Sequence, residues 1–254
     1  MLAKIKTVMR DQPVLRGAAL RAASLVRSLA RAEPGLYTLC YHRVPAHLQD
    51  RFADQVRFFR RHGDVVDADA AAERLAAGWP SRDRAFLLTF DDGYADTADV
   101  AMPVLRAEGV PATVFLVADW IDGPPASPRA RSHMTRTDIR AWLDAGLQVG
   151  SHTATHRNLG SLDEAAVGEE LARSRRVLSD LVGRPVDHFA CPWGVAGRDF
   201  DPVRTPALAR ECGYRSFFTT RRGHARAEGD LALMPRHVAE PHWGLFEFDA
   251  LMGR

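Results

Sequence analysis

Short apolar runs alternate along the chain with longer stretches in which apolar residues recur every three or four positions, the pattern of strands exchanging with amphipathic helices. Residues 36–41 (LYTLCY), 86–90 (FLLTF), 112–117 (ATVFLV), 147–150, 186–190 and 216–220 (SFFTT) read as strands, and 231–238 contains a last one. Val65-Val66 is too short to assign by pattern. Residues 13–31, 52–62, 69–77, 96–108, 137–145, 164–181 and 202–212 read as helices. Gly78, Gly109, Gly146, Gly183 and Gly213 stand where several of them should stop, as glycine closes a helix in the left-handed conformation at least cost. Ser161-x-x-Glu164 reads as a capping box opening the longest helix. Residues 122–133 (DGPPASPRARSH), with three prolines and no periodicity, read as a surface loop over a site. Strand and helix alternate about seven times without internal repeats, which predicts a parallel α/β barrel with its chemistry at the C-terminal strand ends.

Composition adds little to this and charge distribution adds more. With 254 residues, 46% hydrophobic and 26% charged, the chain can bury a full core. Residues 1–33 hold seven Lys/Arg against two acids, a balance of +5, which leaves 27 basic and 30 acidic residues, or −3, in the remainder. On the 13–31 helix Leu15, Ala18, Ala19, Ala22, Leu25, Val26 and Leu29 share one face, with Arg16, Arg27 and Arg31 opposite. Such a helix either lies on an anionic membrane surface or packs its Ala/Leu face on the main domain. The expected division is therefore an N-terminal basic helix, 1–35, and a single domain, 36–254. A net charge of +2 gives no reason to expect nucleic acid. Cys40, Cys191 and Cys212 are odd in number and form no CxxC pattern, a mild preference for a reducing compartment. No run of 18 apolar residues or signal-peptide h-region occurs, so the expected location is cytoplasmic, with membrane association through 13–31 left open.

Candidate chemistry gathers at the ends of the expected strands. Asp91 and Asp92 follow the 86–90 run directly, and adjacent carboxylates there repel unless a cation or proton offsets them. A shared metal does so: one Asp ligates, and the other, held nearby as a base, activates water. A solvated Asp-Asp-Gly turn is the bland alternative. His152 and His156 follow another strand, in SHTATH. Two nitrogens about 2.1 Å from one ion lie within about 4 Å of each other, so the segment must bend or coil for both to ligate. Two His and one Asp leave open positions and suit hydrolytic Zn²⁺, with Co²⁺, Fe²⁺ or Ni²⁺ as alternatives. His42, Pro192 and Trp193 also stand just past strand candidates.

TFDDGYADT, GVPATVFLV, VGSHTATHRNL and FACPWG, in that order, resemble the polysaccharide deacetylase family, the NodB-homology carbohydrate esterases, over roughly residues 36–240. The resemblance implies a distorted (β/α)7-type barrel that removes N-acetyl groups from amino sugars with one divalent metal. Asp91 resembles the family's catalytic base, and Asp92, His152 and His156 its metal triad. Tyr94, Pro192, Trp193 and Gly194 resemble substrate- and oxyanion-binding positions, with the backbone N–H of Trp193 at the oxyanion position. Two departures stand out. The family's Arg-x-Pro-x-Gly motif, whose arginine orients the base, is here Ala190-Cys191-Pro192-Trp193-Gly194, similar to a branch with Phe-Ala-Tyr-Pro-Tyr-Gly associated with exopolysaccharides. The C-terminal Leu-x-His that supplies the acid is absent; Met234-Pro235-Arg236-His237 resembles the Leu-Pro-Arg segment of that branch. Arg236 is thus the candidate replacement for the orienting arginine, and His42, then His237, the candidate acid. The resemblance implies an N-acetylated sugar substrate and leaves the oligomeric state open. A deformylase or amidase on a lipid-linked sugar, or an inactive carbohydrate-binding barrel, are the rival readings.

Overall fold

The computed structural model describes residues 33–80, 82–123 and 132–251. The helix expected over 13–31 and the middle of the 122–133 loop lie outside these residues. Eight strands, β1 (Gly35–Tyr41), β2 (Asp64–Val66), β3 (Arg84–Phe90), β4 (Thr113–Leu116), β5 (Gln148–Ser151), β6 (His188–Ala190), β7 (Ser216–Phe218) and β8 (His237–Val238), form one parallel sheet. Its order is β7-β6-β5-β4-β3-β1-β8, with β2 beside β3. The α-helices are α1 (Gln49–His62), α2 (Ala68–Ala76), α3 (Met102–Glu108), α4 (Arg136–Asp144), α5 (Glu164–Val182), α6 (Arg204–Glu211) and α7 (Leu245–Leu251). None of the described helices is long and apolar enough to cross a membrane.

β3 sits where the sheet is best supported. It pairs with β1 along its whole length, Gly35 opposite Arg84 through Tyr41 opposite Phe90. On its other edge β2 covers Ala85–Leu87 and β4 covers Thr89 and Phe90. The period-2 alternation of strand side chains then divides the apolar residues between two layers. Phe86, Leu88 and Phe90 join Tyr37, Leu39, Tyr41 and the helix residues Phe52, Phe59, Trp142 and Leu171 in the outer core. Ala85 and Leu87 face inward with Leu36, Phe115, Ala190, Phe218 and Met234. Both faces of β3 are buried, which explains its unbroken apolar run.

The sheet curls until its two ends meet at a single bridge, Phe218 with Met234, and Met234 N–H donates to Phe217 O at 2.8 Å. The expected (β/α)7-type barrel is therefore a curled, distorted one, of eight strands among the described residues, four of them three residues or shorter. At its N-terminal end α2 closes the interior with Ala68, Ala71 and Leu75. Hydrogen bonds fix α2 to the strand starts: Ala68 N–H donates to Gln148 Oε1 (2.8 Å), and His188 Nε2 meets Asp69 Oδ1 (2.8 Å) while its Nδ1 meets Ser216 Oγ (2.7 Å). With that end plugged, access is left to the end where the strands finish.

Two local expectations are corrected. α5 opens at Glu164 with Asp163 as its cap, accepting from Ala166 N–H at 2.8 Å, whereas Ser161 ends a preceding 3-10 turn and bonds Asn158 O. The Ser161 capping box does not form. The 96–108 helix holds Pro103 by widening first: residues Thr97–Ala101 are π-helical, with Met102 N–H reaching back to Thr97 O. The wider turn supplies room for a ring that clashes with an ordinary preceding turn.

Candidate active site

Asp91 extends the β3 ladder by one bond, its N–H donating to Tyr41 O at 2.9 Å, and its carboxylate points into the barrel mouth. Arg236, just before β8, grips it from both sides: Nη1 donates to Oδ1 at 2.7 Å and Nη2 to Oδ2 at 2.8 Å. Both residues are almost completely buried. Arg236 Nε donates to Thr219 O at 3.0 Å, which fixes the guanidinium plane. The Cys40 thiol donates to Asp91 Oδ2 at 3.3 Å. Burial pushes the Asp91 carboxyl up, but Arg236 and then the neighbouring His152 outweigh it and hold the group well below the usual carboxylate range. Asp91 is thus an ionised carboxylate held at fixed orientation.

Asp92 turns the opposite way because the backbone changes hand there, with φ 69° at Asp92 and 66° at Gly93. A Cβ on Gly93 would come within 2.5 Å of Leu116 Cδ2, so the turn after β3 requires glycine. His152 follows β5. Its Nδ1 lies 2.7 Å from Ala190 O; a carbonyl only accepts, so Nδ1 carries the proton and Nε2 offers a lone pair. The next four residues coil rather than extend. Buried Glu170 of α5 accepts from Ala154 N–H (3.0 Å), Thr155 N–H (2.9 Å) and Thr155 Oγ1 (2.5 Å), and Thr153 Oγ1 accepts from His156 N–H (2.9 Å). Thr153 and His156 both take positive φ, 69° and 61°. This strain, confined to the site, returns His156 beside His152.

Three ligand atoms converge as a result. His152 Nε2 lies 3.4 Å and His156 Nε2 3.2 Å from Asp92 Oδ1. Ligands 2.0–2.1 Å from one ion at the tetrahedral angle stand about 3.4 Å apart. Asp92 Oδ1 is buried with no hydrogen-bond donor aligned on it, and burial holds His152 below its usual range, favouring the neutral ligand form. The three residues fit a divalent metal. Asp91 Oδ2, 4.0 Å from His152 Nε2, lies alongside without belonging to the set.

The remaining expected residues divide. His42, directly after β1 and partly exposed, has a ring nitrogen within 4.8 Å of both Asp91 and Cys40. Tyr94 is half-buried beside Asp92 under the guanidinium of Arg43, 4.6 Å from its ring centre. Pro192, Trp193 and Gly194 turn the chain after β6; Trp193 takes φ 56°, is half-exposed, and sets its ring 4.8 Å from that of His156. A Cβ on Gly194 would meet Thr220 N at 2.9 Å. His237 is not brought to the site. It follows Arg236 and opens β8, so its ring takes the other face and stacks on Tyr37, 6.4 Å away in the outer layer.

Sequence reading missed Cys40, Glu170 and Trp120; His133, available in the 122–133 loop, stands only as a fallback for the acid. Trp120 stacks on His156 at 4.9 Å and touches His133 at 4.7 Å, and His133 stacks on Tyr94 at 5.1 Å. Met134 N–H donates to Gly93 O at 2.8 Å and Ala95 N–H to Ser132 O at 3.1 Å, so residues 132–134 run beside the site. No local pattern marks Cys40, Glu170 and Trp120; only their positions after folding do.

Residues 79–217 match the family model for polysaccharide deacetylase. The chain belongs to the polysaccharide deacetylase family. YxkH of Bacillus subtilis (strain 168) is 28% identical over 152 residues, 59% of this chain and 50% of that protein. A chitin deacetylase of Pestalotiopsis sp is 32% identical over 111 residues, 42% of this chain and 34% of that protein. The matched region thus spans half or less of these curated relatives. Among solved structures, IcaB from Ammonifex degensii superposes with a TM-score of 0.74 at 26% identity, covering 88% of this chain and 99% of that one. The Streptococcus pyogenes deacetylase PplD gives 0.72 at 19% identity, over 87% and 98%, a likeness of fold.

In this polysaccharide deacetylase domain the guanidinium bonded to Asp91 is that of Arg236. The Ala190 position faces the interior apolar cluster, while the guanidinium reaches Asp91 from the β8 side of the barrel.

Proposed function

We propose that this chain is a metal-dependent hydrolase that removes N-acetyl groups from an amino-sugar glycan or glycoconjugate. The observation that carries the reading is the pairing of an Arg-clamped, ionised Asp91 with the adjoining Asp92–His152–His156 ligand set. Zn²⁺ suits two imidazoles and one carboxylate with open positions. When bound, the metal would polarise the amide carbonyl and lower the pKa of water, as divalent ions do.

The protein's own residues would carry the proton traffic. Asp91 accepts the proton of the attacking water, held toward the site by both Arg236 bonds. The backbone N–H of Trp193 assists the oxyanion. His42, at the accessible rim, gives its proton to the nitrogen as the C–N bond breaks, releasing acetate and a free amine. Trp193, half-exposed, offers a ring for a sugar. Acetate release from N-acetylglucosamine oligomers by the metal-loaded protein tests the reading. Release that requires metal and falls at least about 100-fold in Asp91→Asn is expected. Metal-loaded protein that releases no acyl group from any N-acylated sugar overturns it.

A further inference from the structure

A second set of donors lies next to the first. Cys40 Sγ, a ring nitrogen of His42 and an Asp91 oxygen all lie within 4.8 Å of one another, at the ends of the paired strands β1 and β3. The Cys40 Sγ to Asp91 Oδ2 separation is 3.3 Å. A thiolate about 2.3 Å and a carboxylate oxygen about 2.1 Å from one tetrahedral ion stand about 3.6 Å apart, so the pair needs only a small shift. The set shares no residue with Asp92, His152 and His156.

We propose that Cys40, His42 and Asp91 form a second, inhibitory site for a soft, thiophilic cation such as excess Zn²⁺ or Cd²⁺. Arg236 is bonded to Asp91, and its positive charge opposes a hard dication there. A soft ion overcomes that opposition through its bond to sulfur, which selects thiophilic metals over Mg²⁺ or Ca²⁺. Binding releases the Cys40 S–H proton to solvent and leaves the thiolate as ligand, with no change in oxidation state. His42 lies at the mouth and Cys40 behind it, so the ion approaches from the side substrate would use. Occupation would engage the proposed base and acid together. Inhibition follows from the proposed function, whereas binding does not depend on it.

The experiment titrates Cd²⁺ into full-length protein already holding one equivalent of Zn²⁺, following the ultraviolet thiolate-to-cadmium charge-transfer band, ions bound per chain and acetate release. The Zn²⁺ triad contains no sulfur, so the band reports a cysteine alone. The wild type is expected to take up one further ion with a growing band and a parallel loss of acetate release. Cys40→Ser should lose the band and keep the first ion; His42→Ala should keep the band and bind the second ion about tenfold more weakly. If Cys40→Ser does not fold, His42→Ala carries the test, and unchanged second-ion affinity there overturns the proposal. So does a missing band at cadmium levels that displace zinc from the triad, or an unchanged band in Cys40→Ser. A Cys40-dependent band in protein that releases no acetate would refute the proposed activity and leave this site standing.

Discussion

Arg236 and Asp91 are 145 residues apart in the chain and meet through two parallel hydrogen bonds of 2.7 and 2.8 Å in the buried mouth of the barrel. The geometry is that of a planar guanidinium matched to a carboxylate, which a lysine cannot reproduce. The Asp91 carboxylate is thereby fixed from beside the last strand of the sheet, although it follows the third.

Arg236→Lys retains the charge and loses the fork. Metal content is expected to stay unchanged while kcat falls about tenfold or more and KM moves little, because the orientation of the base matters chiefly in the transition state. Arg236→Met removes the partner of a buried carboxylate and is expected to cost about 3–5 kcal/mol in denaturant unfolding. Wild-type kcat in Arg236→Lys would remove the orienting role.

The two aspartates should separate by assay. Asp92→Asn, His152→Ala and His156→Ala are expected to lose bound metal and activity together, measured as ions per chain. Asp91→Asn should keep about one ion per chain and lose turnover. Loss of metal from Asp91→Asn with retention in Asp92→Asn would exchange their roles.

In the proposed mechanism His42 donates a proton at the rim. In His42→Ala, metal binding should persist, kcat should fall more than KM rises, and the alkaline limb of the pH–rate profile should disappear, since that limb reports deprotonation of the acid. His237→Ala should leave the limb in place, because the His237 ring packs on Tyr37 in the outer layer. An unchanged limb in His42→Ala would make that histidine structural and direct attention to His133, which stacks on Tyr94.

At the closed end of the barrel, Asp69 pairs with His188 and Arg184, at 2.8 and 3.3 Å. The His188 hydrogen bond, against partial burial, lowers the Asp69 carboxyl from 3.8 to about 2. A group depressed on folding stabilises the native state above its unfolded value, and that stabilisation fades as pH falls from 3.8 through about 2. Asp69→Asn should therefore be less stable than wild type near neutrality, and the gap should close across this acid window. Parallel stability curves for the two proteins from pH 5 down to pH 2 would contradict the assignment.

Much of the site was legible before folding. The two carboxylates after an apolar run and the His-x-x-x-His after another are local features. Strand and helix periods are written over a few consecutive residues, so the strand ends that carry Asp91, Asp92, His152 and His42 could be placed from the chain alone. Only Val65-Val66, in three-residue β2, is too short to assign by pattern, while 231–238 contains two-residue β8 without fixing its bounds.

Long-range register decided the rest. Leu39 opposite His237 sets the β1–β8 alignment, and with it Arg236 enters the barrel while His237, one residue on, faces out. Because strand side chains alternate, a shift of one residue would reverse those two fates, and nothing local in Met-Pro-Arg-His fixes it. Cys40 contacts Asp91 only because β1 pairs with β3 along its full length, and Glu170 holds the His152–His156 coil only because α5 packs beside it. The sequence determined which groups stand at the strand ends. Which of them meet depends on sheet curvature and pairing, set by burial of the whole apolar interior rather than by any one segment.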